Sequence, residues 1–230
     1  MKTEPESLKE LLAKTHPFTA LNKTERAEFA QNAISRRYKK GEFCAYQEDV
    51  WPYLCLVGNG KINIVKESQE GRSLIVQTLE AGDIFWGLAF FQDNASMPVS
   101  LQASQSSRLY LWHRESVQPI LLKNSRALWE LCQLMVVRME RASEIVEDLA
   151  FYPVAGRLAR FLLEHFEEAS SDAPVARDVT LDEMAARIGS TREMVCRALY
   201  RFADEKMIQI NRTEFVFTSR EKLEELAGES

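Results

Sequence analysis

A chain of 230 residues, 46% hydrophobic and 27% charged, holds enough material for one large or two small globular domains. No apolar run approaches the roughly 20 residues of a membrane helix, and the polar start MKTEPESLKELLAK lacks the apolar core of a secretory signal, so a cytoplasmic location is expected. A formal net charge of −5 works against nucleic acid as a partner, so any such binding must come from cations placed locally.

The first 35 residues read as helical and flank a β-rich stretch. From Lys40 to Trp112 short apolar runs alternate with turn signals: YLCLVGNGKINIV around Gly58-Asn59-Gly60, the polar turn KESQEGRS before LIVQTL, then Ala81-Gly82-Asp83, SLQA and RLYLW. Turns at this spacing predict a β-sandwich or β-barrel. The pattern changes near Asn124. Ser125 to Ala150 contains neither Gly nor Pro, and Leu128, Cys132, Met135, Met139, Ala142, Val146 and Leu149 recur at spacings of four and three. That is a heptad seam, which predicts a long helix paired in a parallel dimer. Leu131, Leu134, Val136 and Val137 provide a second face that suits packing on the chain's own β-domain, and Cys132 reads as a small seam-filling residue.

Phe151-Tyr152-Pro153 must end this helix, because proline cannot continue it, and reads as a hinge. GRLARFLLEHF is then a short amphipathic helix and EEASSDAPVARD a polar linker. The expected division is therefore residues 1–124, 125–151 and 152–230.

Beyond the linker, Thr180 with Glu183 and Ser190 with Glu193 are each spaced as a capping box, so two helices start ten residues apart. Gly189 lies between them, where a tight turn needs positive φ. Ala185 is small enough for a close crossing, and Val195 is the buried contact of the second helix. This predicts a helix-turn-helix, and MIQINRTEFVFTS alternates around Asn211-Arg212 as a two-stranded wing would. On a helical wheel Arg192, Glu193, Cys196, Arg197, Tyr200 and Arg201 share one half, while Met194, Val195, Ala198, Leu199 and Phe202 share the other. Arginine can bond guanine O6 and N7 in a fork and glutamate can accept from cytosine N4. Ser190, Thr191 and the helix amides suit phosphate. Cys196 lies on the DNA-facing side, either as a thiol whose oxidation blocks binding or, more simply, because a small side chain is needed there.

The order β-domain, long helix, winged helix resembles the superfamily of the cyclic-AMP receptor protein and the fumarate–nitrate regulator, from about Pro17 to Thr218. S-T-R-E-M-V-C-R is similar to that superfamily's recognition-helix signature S-R-E-x-V-x-R, LAFYPVAGRLARFLLE resembles its hinge segment, and RRYKKGEF its first β-roll strand. The resemblance implies an α+β fold with an N-terminal sensory β-roll and a cytoplasmic homodimer. It also implies palindromic DNA with TGTGA-like half-sites read by Arg192, Glu193 and Arg197, with Arg201 on the same face, and RNA polymerase as a further partner. Effector binding would rotate the winged domains about Phe151–Gly156.

The superfamily's nucleotide pocket reads G-D-x-x-G-E-L followed by Arg-Ser or Arg-Thr. Here GDIFWGLAFFQDNASMPVS puts Trp86-Gly87 where Gly-Glu would stand and Met97-Pro98 where Arg-Ser would stand. Burying a phosphate without a cation is costly, so cyclic AMP is not the expected effector. Phe85, Trp86, Phe90, Phe91 and Met97 either line a site for an uncharged or aromatic ligand or fill the vacated pocket. Cysteines 44, 55, 132 and 196 lack CxxC or cluster spacing, which disfavours zinc or an iron–sulfur cluster. Haem through His113 or Cys55 is likewise disfavoured, since lone histidines are usually structural. With three histidines and no Ser/His/Asp set, metal spacing or phosphate-cradling glycine loop, an enzyme is not expected. A ligand-binding module acting on a protein partner is the alternative reading.

Overall fold

The computed structural model describes residues 7–167 and 173–228. Within them the chain divides into two compact units. One runs to Lys66 and resumes from Val76 to Arg141; the other takes Glu67–Ile75 and the chain from Ala142 onward.

The first unit opens with helices α1 (Leu8–Lys14) and α2 (Lys23–Gln31), each started by a complete capping box, Ser7 with Glu10 and Asn22 with Glu25. Eight strands follow: β1 (Ile34–Tyr38), β2 (Phe43–Ala45), β3 (Tyr53–Asn59), β4 (Ile62–Glu67), β5 (Ser73–Leu79), β6 (Ile84–Trp86), β7 (Ser100–Ala103) and β8 (Ser107–His113). They form two four-stranded sheets, ordered β1-β8-β3-β6 and β2-β7-β4-β5. Strand structure begins at Ile34, ahead of the expected Lys40, and RRYKKGEF spans the end of β1, a turn and the start of β2 rather than one strand.

Alternation on β3 and β8 explains their apolar runs. Cys55, Val57, Leu109 and Leu111 face a core shared with the second sheet. Leu54, Leu56, Tyr110 and Trp112 face a second core capped by helices. Both faces are covered, so the usual apolar–polar alternation is absent. Trp112 sits against Phe18 and Phe29 with ring centroids 5.7 and 4.8 Å away, and its indole N–H donates to the Phe29 carbonyl at 2.7 Å. That bond satisfies the one polar atom of a fully buried ring.

Helix α3 (Arg114–Lys123) carries Pro119 inside it and was not anticipated from sequence. Asn124 then separates it from α4 (Ser125–Phe151), 27 residues long. The Asn124 side chain accepts from the Ala127 N–H at 3.0 Å and donates to the Ala20 carbonyl at 3.1 Å, which starts α4 and ties it to the N-terminal helices.

The second unit contains α5 (Val154–His165), β9 (Pro174–Ala176), α6 (Leu181–Arg187), α7 (Arg192–Asp204), β10 (Ile208–Ile210), β11 (Glu214–Phe217) and α8 (Arg220–Gly228). Its core is built around Leu158, Leu162, Val195, Phe202, Phe215 and Phe217. The wing has three strands, not two, in the order β10-β11-β9. Part of the expected linker is strand β9, which pairs antiparallel with β11 through Val175 opposite Phe215. Residues 168–172 of that linker lie outside the described residues. The architecture is α+β: a β-roll, a long helix and a winged helix-turn-helix.

Candidate nucleic-acid interface

Helix α6 begins at Thr180, whose hydroxyl accepts from the Glu183 N–H at 3.1 Å. It ends at Ile188, after which Gly189 takes φ +61° and the Ser190 N–H returns to the Ala185 carbonyl at 2.9 Å. That is the six-to-one bond of a Schellman ending, with glycine where a side chain would be strained. Ser190 is thus the last residue of the turn and not the cap of the next helix. Thr191 is the cap, accepting from the Met194 N–H at 3.3 Å, and α7 starts at Arg192.

Val195, Ala198, Leu199 and Phe202 bury one side of α7, as the wheel predicts. Met194, assigned to that side, is exposed, as is Tyr200 at 71%. Cys196 is half-buried. Ser190 is half-buried and Thr191 exposed. Arg192, Glu193, Arg197 and Arg201 all reach solvent, and each arginine holds an acid: Arg192 to Asp182 at 3.1 Å, Arg197 to Glu193 at 2.6 Å and Arg201 to Glu205 at 2.7 Å. Asp182 and Glu205 were not singled out from sequence; an acid ten residues before Arg192 gives no local signal, while Glu205 stands at the i+4 spacing that predicts its pair. Exposed pairs are worth about 0–1 kcal/mol, so exchanging them for phosphate or a base edge costs little. At the wing turn, Arg212 is exposed between β10 and β11.

The seam residues of α4 divide. Leu128 and Met135 are half-buried against the first unit's helix-covered core. Cys132 and Ala142 are exposed, with Met139 at 71%, Val146 at 66% and Leu149 at 41%. Of the expected second face, Leu131 and Leu134 join the core, whereas Val136 and Val137 stand in solvent. With Trp129 also exposed, the solvent stripe runs Trp129, Cys132, Val136, Met139, Ser143, Val146, at spacings of three and four.

In the β-roll the five pocket candidates do not share one environment. Phe85 and Met97 belong to the core between the sheets, with Met97 fully buried. Trp86 and Phe90 belong to the helix-covered core, and Phe91 is exposed, edge-on to Phe90 at 5.0 Å. A Cβ on Gly87 would meet the Trp51 carbonyl oxygen at 1.9 Å, so this backbone has no room for any side chain there. A cation absent from the sequence reading does approach. Arg138 of α4 is partly buried and donates to the Gln77 side chain of β5 and, at 3.0 Å, to the Ile84 carbonyl of β6. Its partner lies 61 residues away in sequence, so no local pattern announces it. Burial lowers its pKa while Asp83 favours the charged form.

Cys55 is fully buried, and burial pushes its thiol pKa up; the same cause takes Cys44 to about 12. Neither is a poised nucleophile. His113 lies edge-on to Tyr53 at 5.3 Å. Among the described residues, no helix is long and apolar enough to cross a membrane.

Two domain families match in the order of the fold: the cyclic nucleotide-binding domain over residues 35–124 and the Crp-like helix-turn-helix domain over residues 156–226. The cAMP-activated global transcriptional regulator Vfr of Pseudomonas aeruginosa is 28% identical over 198 residues, covering 80% of this chain and 90% of that protein. A crp/fnr-family transcriptional regulator structure from Eubacterium rectale superposes with a TM-score of 0.77 at 22% identity, covering 91% of this chain and 96% of that one. The c-di-GMP-responsive global regulator CLP of Xanthomonas campestris gives 0.75 at 21% identity over 85% of this chain and 99% of its own. Fold and domain order agree with these matches: the chain joins a cyclic nucleotide-binding domain to a Crp-like helix-turn-helix domain, the arrangement of the Crp–Fnr transcription regulators it resembles.

Proposed function

We propose that the protein acts as a homodimer, joined along α4, that reads a palindromic duplex and takes an effector other than cyclic AMP, if it takes one. In this reading residues 1–124 are the sensory part, 125–151 the dimer helix and 152–230 the DNA-binding part. The observation that carries it is the solvent face of α7, where Arg192, Glu193 and Arg197 stand in the order of the family's base-reading residues and are restrained only by exposed ion pairs. Arg192 and Arg197 would fork onto guanines of TGTGA-like half-sites, Glu193 would accept from cytosine N4, and Ser190, Thr191 and Arg201 would hold backbone.

Dimerisation is supported by the solvent stripe from Trp129 to Val146, which on a lone helix would leave large apolar side chains in water. Two helices joined there would present recognition helices roughly 34 Å apart. A dimer bound beside a promoter would then act on RNA polymerase. The departure from cyclic AMP is supported at Gly87, which has no space for the glutamate of the nucleotide-binding pattern, and at Met97, apolar and buried where that pattern has arginine. A site for an uncharged ligand among Phe85, Trp86, Phe90, Phe91 and Met97 would need Phe85 and Met97 to open toward Trp86.

The test is base preference. Binding of wild type, Arg192→Ala and Arg197→Ala is measured against duplexes substituted one base pair at a time. Each variant should lose about 1–3 kcal/mol of discrimination at its own position and little elsewhere. Unchanged preference in both variants would remove α7 as the reader, and a protein complex formed without DNA would favour the protein-partner reading.

A further inference from the structure

We infer that Arg157 of α5 is a positioning residue for DNA recognition: it fastens the last turn of α4 to the turn of the helix-turn-helix, so the stretch read from sequence as a hinge is a clamp. The inference rests on the dimeric, DNA-reading function proposed above. Helix ends leave carbonyls without intrahelical donors and carry partial negative charge, and two such ends converge on one guanidinium. Nε donates to the Ile188 carbonyl at 2.9 Å, Nη1 to Tyr152 at 2.7 Å and to Asp148 at 3.3 Å, and Nη2 to Gly189 at 3.5 Å. Ile188 and Gly189 close α6, while Asp148 and Tyr152 close α4. A planar fork with five donors can span both ends at once.

Two further observations point the same way. Gly189 is needed for its φ of +61° and also for space, since a Cβ there would meet Leu149 Cδ2 of α4 at 2.6 Å. One turn along α5, Arg160 donates to Asp148 Oδ1 at 2.5 Å and to the Ala227 carbonyl at 3.1 Å, and lies over the Tyr152 ring at 4.3 Å. The break at Pro153 is therefore bridged on one side by two arginines. The division between compact units falls above it, at Arg141–Ala142 inside α4. The last turns of α4 and the start of α7 then move as one body, and half-site spacing is set by where α4 itself points.

The experiment compares full-length wild type, R157Q and R157K on duplexes carrying two selected half-sites, at the selected spacing and at one base pair more or less, and on a duplex with one half-site. Wild type should prefer the selected spacing by about 10-fold or more, and both variants should fall to within about 3-fold while keeping single-half-site affinity, since a Lys ammonium cannot span four carbonyls. A variant that keeps the wild-type spacing ratio overturns the inference. So does one that loses single-half-site affinity by the same factor, because a general loss of fold would do that. Wild type that binds no duplex would overturn the proposed function and this inference with it. Amide exchange decides independently of DNA: the Tyr152 N–H should exchange about 10-fold faster in R157Q than in wild type. Equal rates would overturn the clamp.

Discussion

The exposed face of helix α7 and the interior of the β-roll are built in opposite ways. On α7 the charged groups lie outside, in water, and each arginine holds an acid it can exchange at little cost. In the β-roll the positions that carry glutamate and arginine in the nucleotide-binding pattern lie inside, and they are a glycine with no space around it and a buried methionine. An exposed face can retain its residues while an enclosed pocket is refilled, because each is built from its own side chains. Under the proposed function the output end of the molecule keeps the base-reading residues while the input end departs from the nucleotide-binding pattern.

That contrast can be broken first at its reading end. Replacing Arg192 and Arg197 together by alanine should cut specific affinity by about 30-fold or more, on the order of 2–6 kcal/mol if the two losses add, and leave salt-dependent binding to random DNA. Equilibrium binding to selected and scrambled duplexes measures both. In the β-roll, Arg138→Met should destabilise the protein by about 1.5–3 kcal/mol, the range for hydrogen bonds made by a charged donor, as read by urea unfolding. Gly87→Ala should cost about 1–3 kcal/mol by overpacking against Trp51. An unaffected midpoint would mean that the backbone moves aside and that the site could take the missing glutamate. Cyclic AMP at 1 mM should leave the melting temperature unchanged, whereas a ligand at 100 times its Kd would add about 2.7 kcal/mol. The smallest effect sharpens the reading end: Thr191→Ala should lose about 1 kcal/mol of stability as a lost helix cap, and Ser190→Ala close to nothing.

What was legible from sequence was mostly local. The helix-turn-helix announced itself through Thr180, Gly189 and the periodicity of Val195, Leu199 and Phe202, because caps, left-handed turns and helical faces are decided within a few residues. Even so, two adjacent hydroxyl residues were enough to misplace the cap by one position, from Thr191 to Ser190. Strand β9 was invisible because Pro174-Val175-Ala176 becomes a strand only by pairing with β11, 38 to 42 residues later in register. On α4, apolar residues on more than one face allowed two heptad frames sharing Cys132, Met139 and Val146. Only packing against the β-roll shows that Leu128 and Met135 face inward while Trp129 and Val136 face out. Arg138 could not be found at all from sequence, since its acceptors lie 61 and 54 residues away.

The most direct test of the central claim is to let the purified full-length protein select duplexes from a random pool without added effector and again with candidate effectors. The account predicts enrichment of a two-fold symmetric motif whose TGTGA-like half-sites lie about one helical turn apart, with the enrichment lost in the Arg192→Ala, Arg197→Ala double variant. A pool that stays random under every condition, or a selected motif that the double variant recovers unchanged, would contradict it.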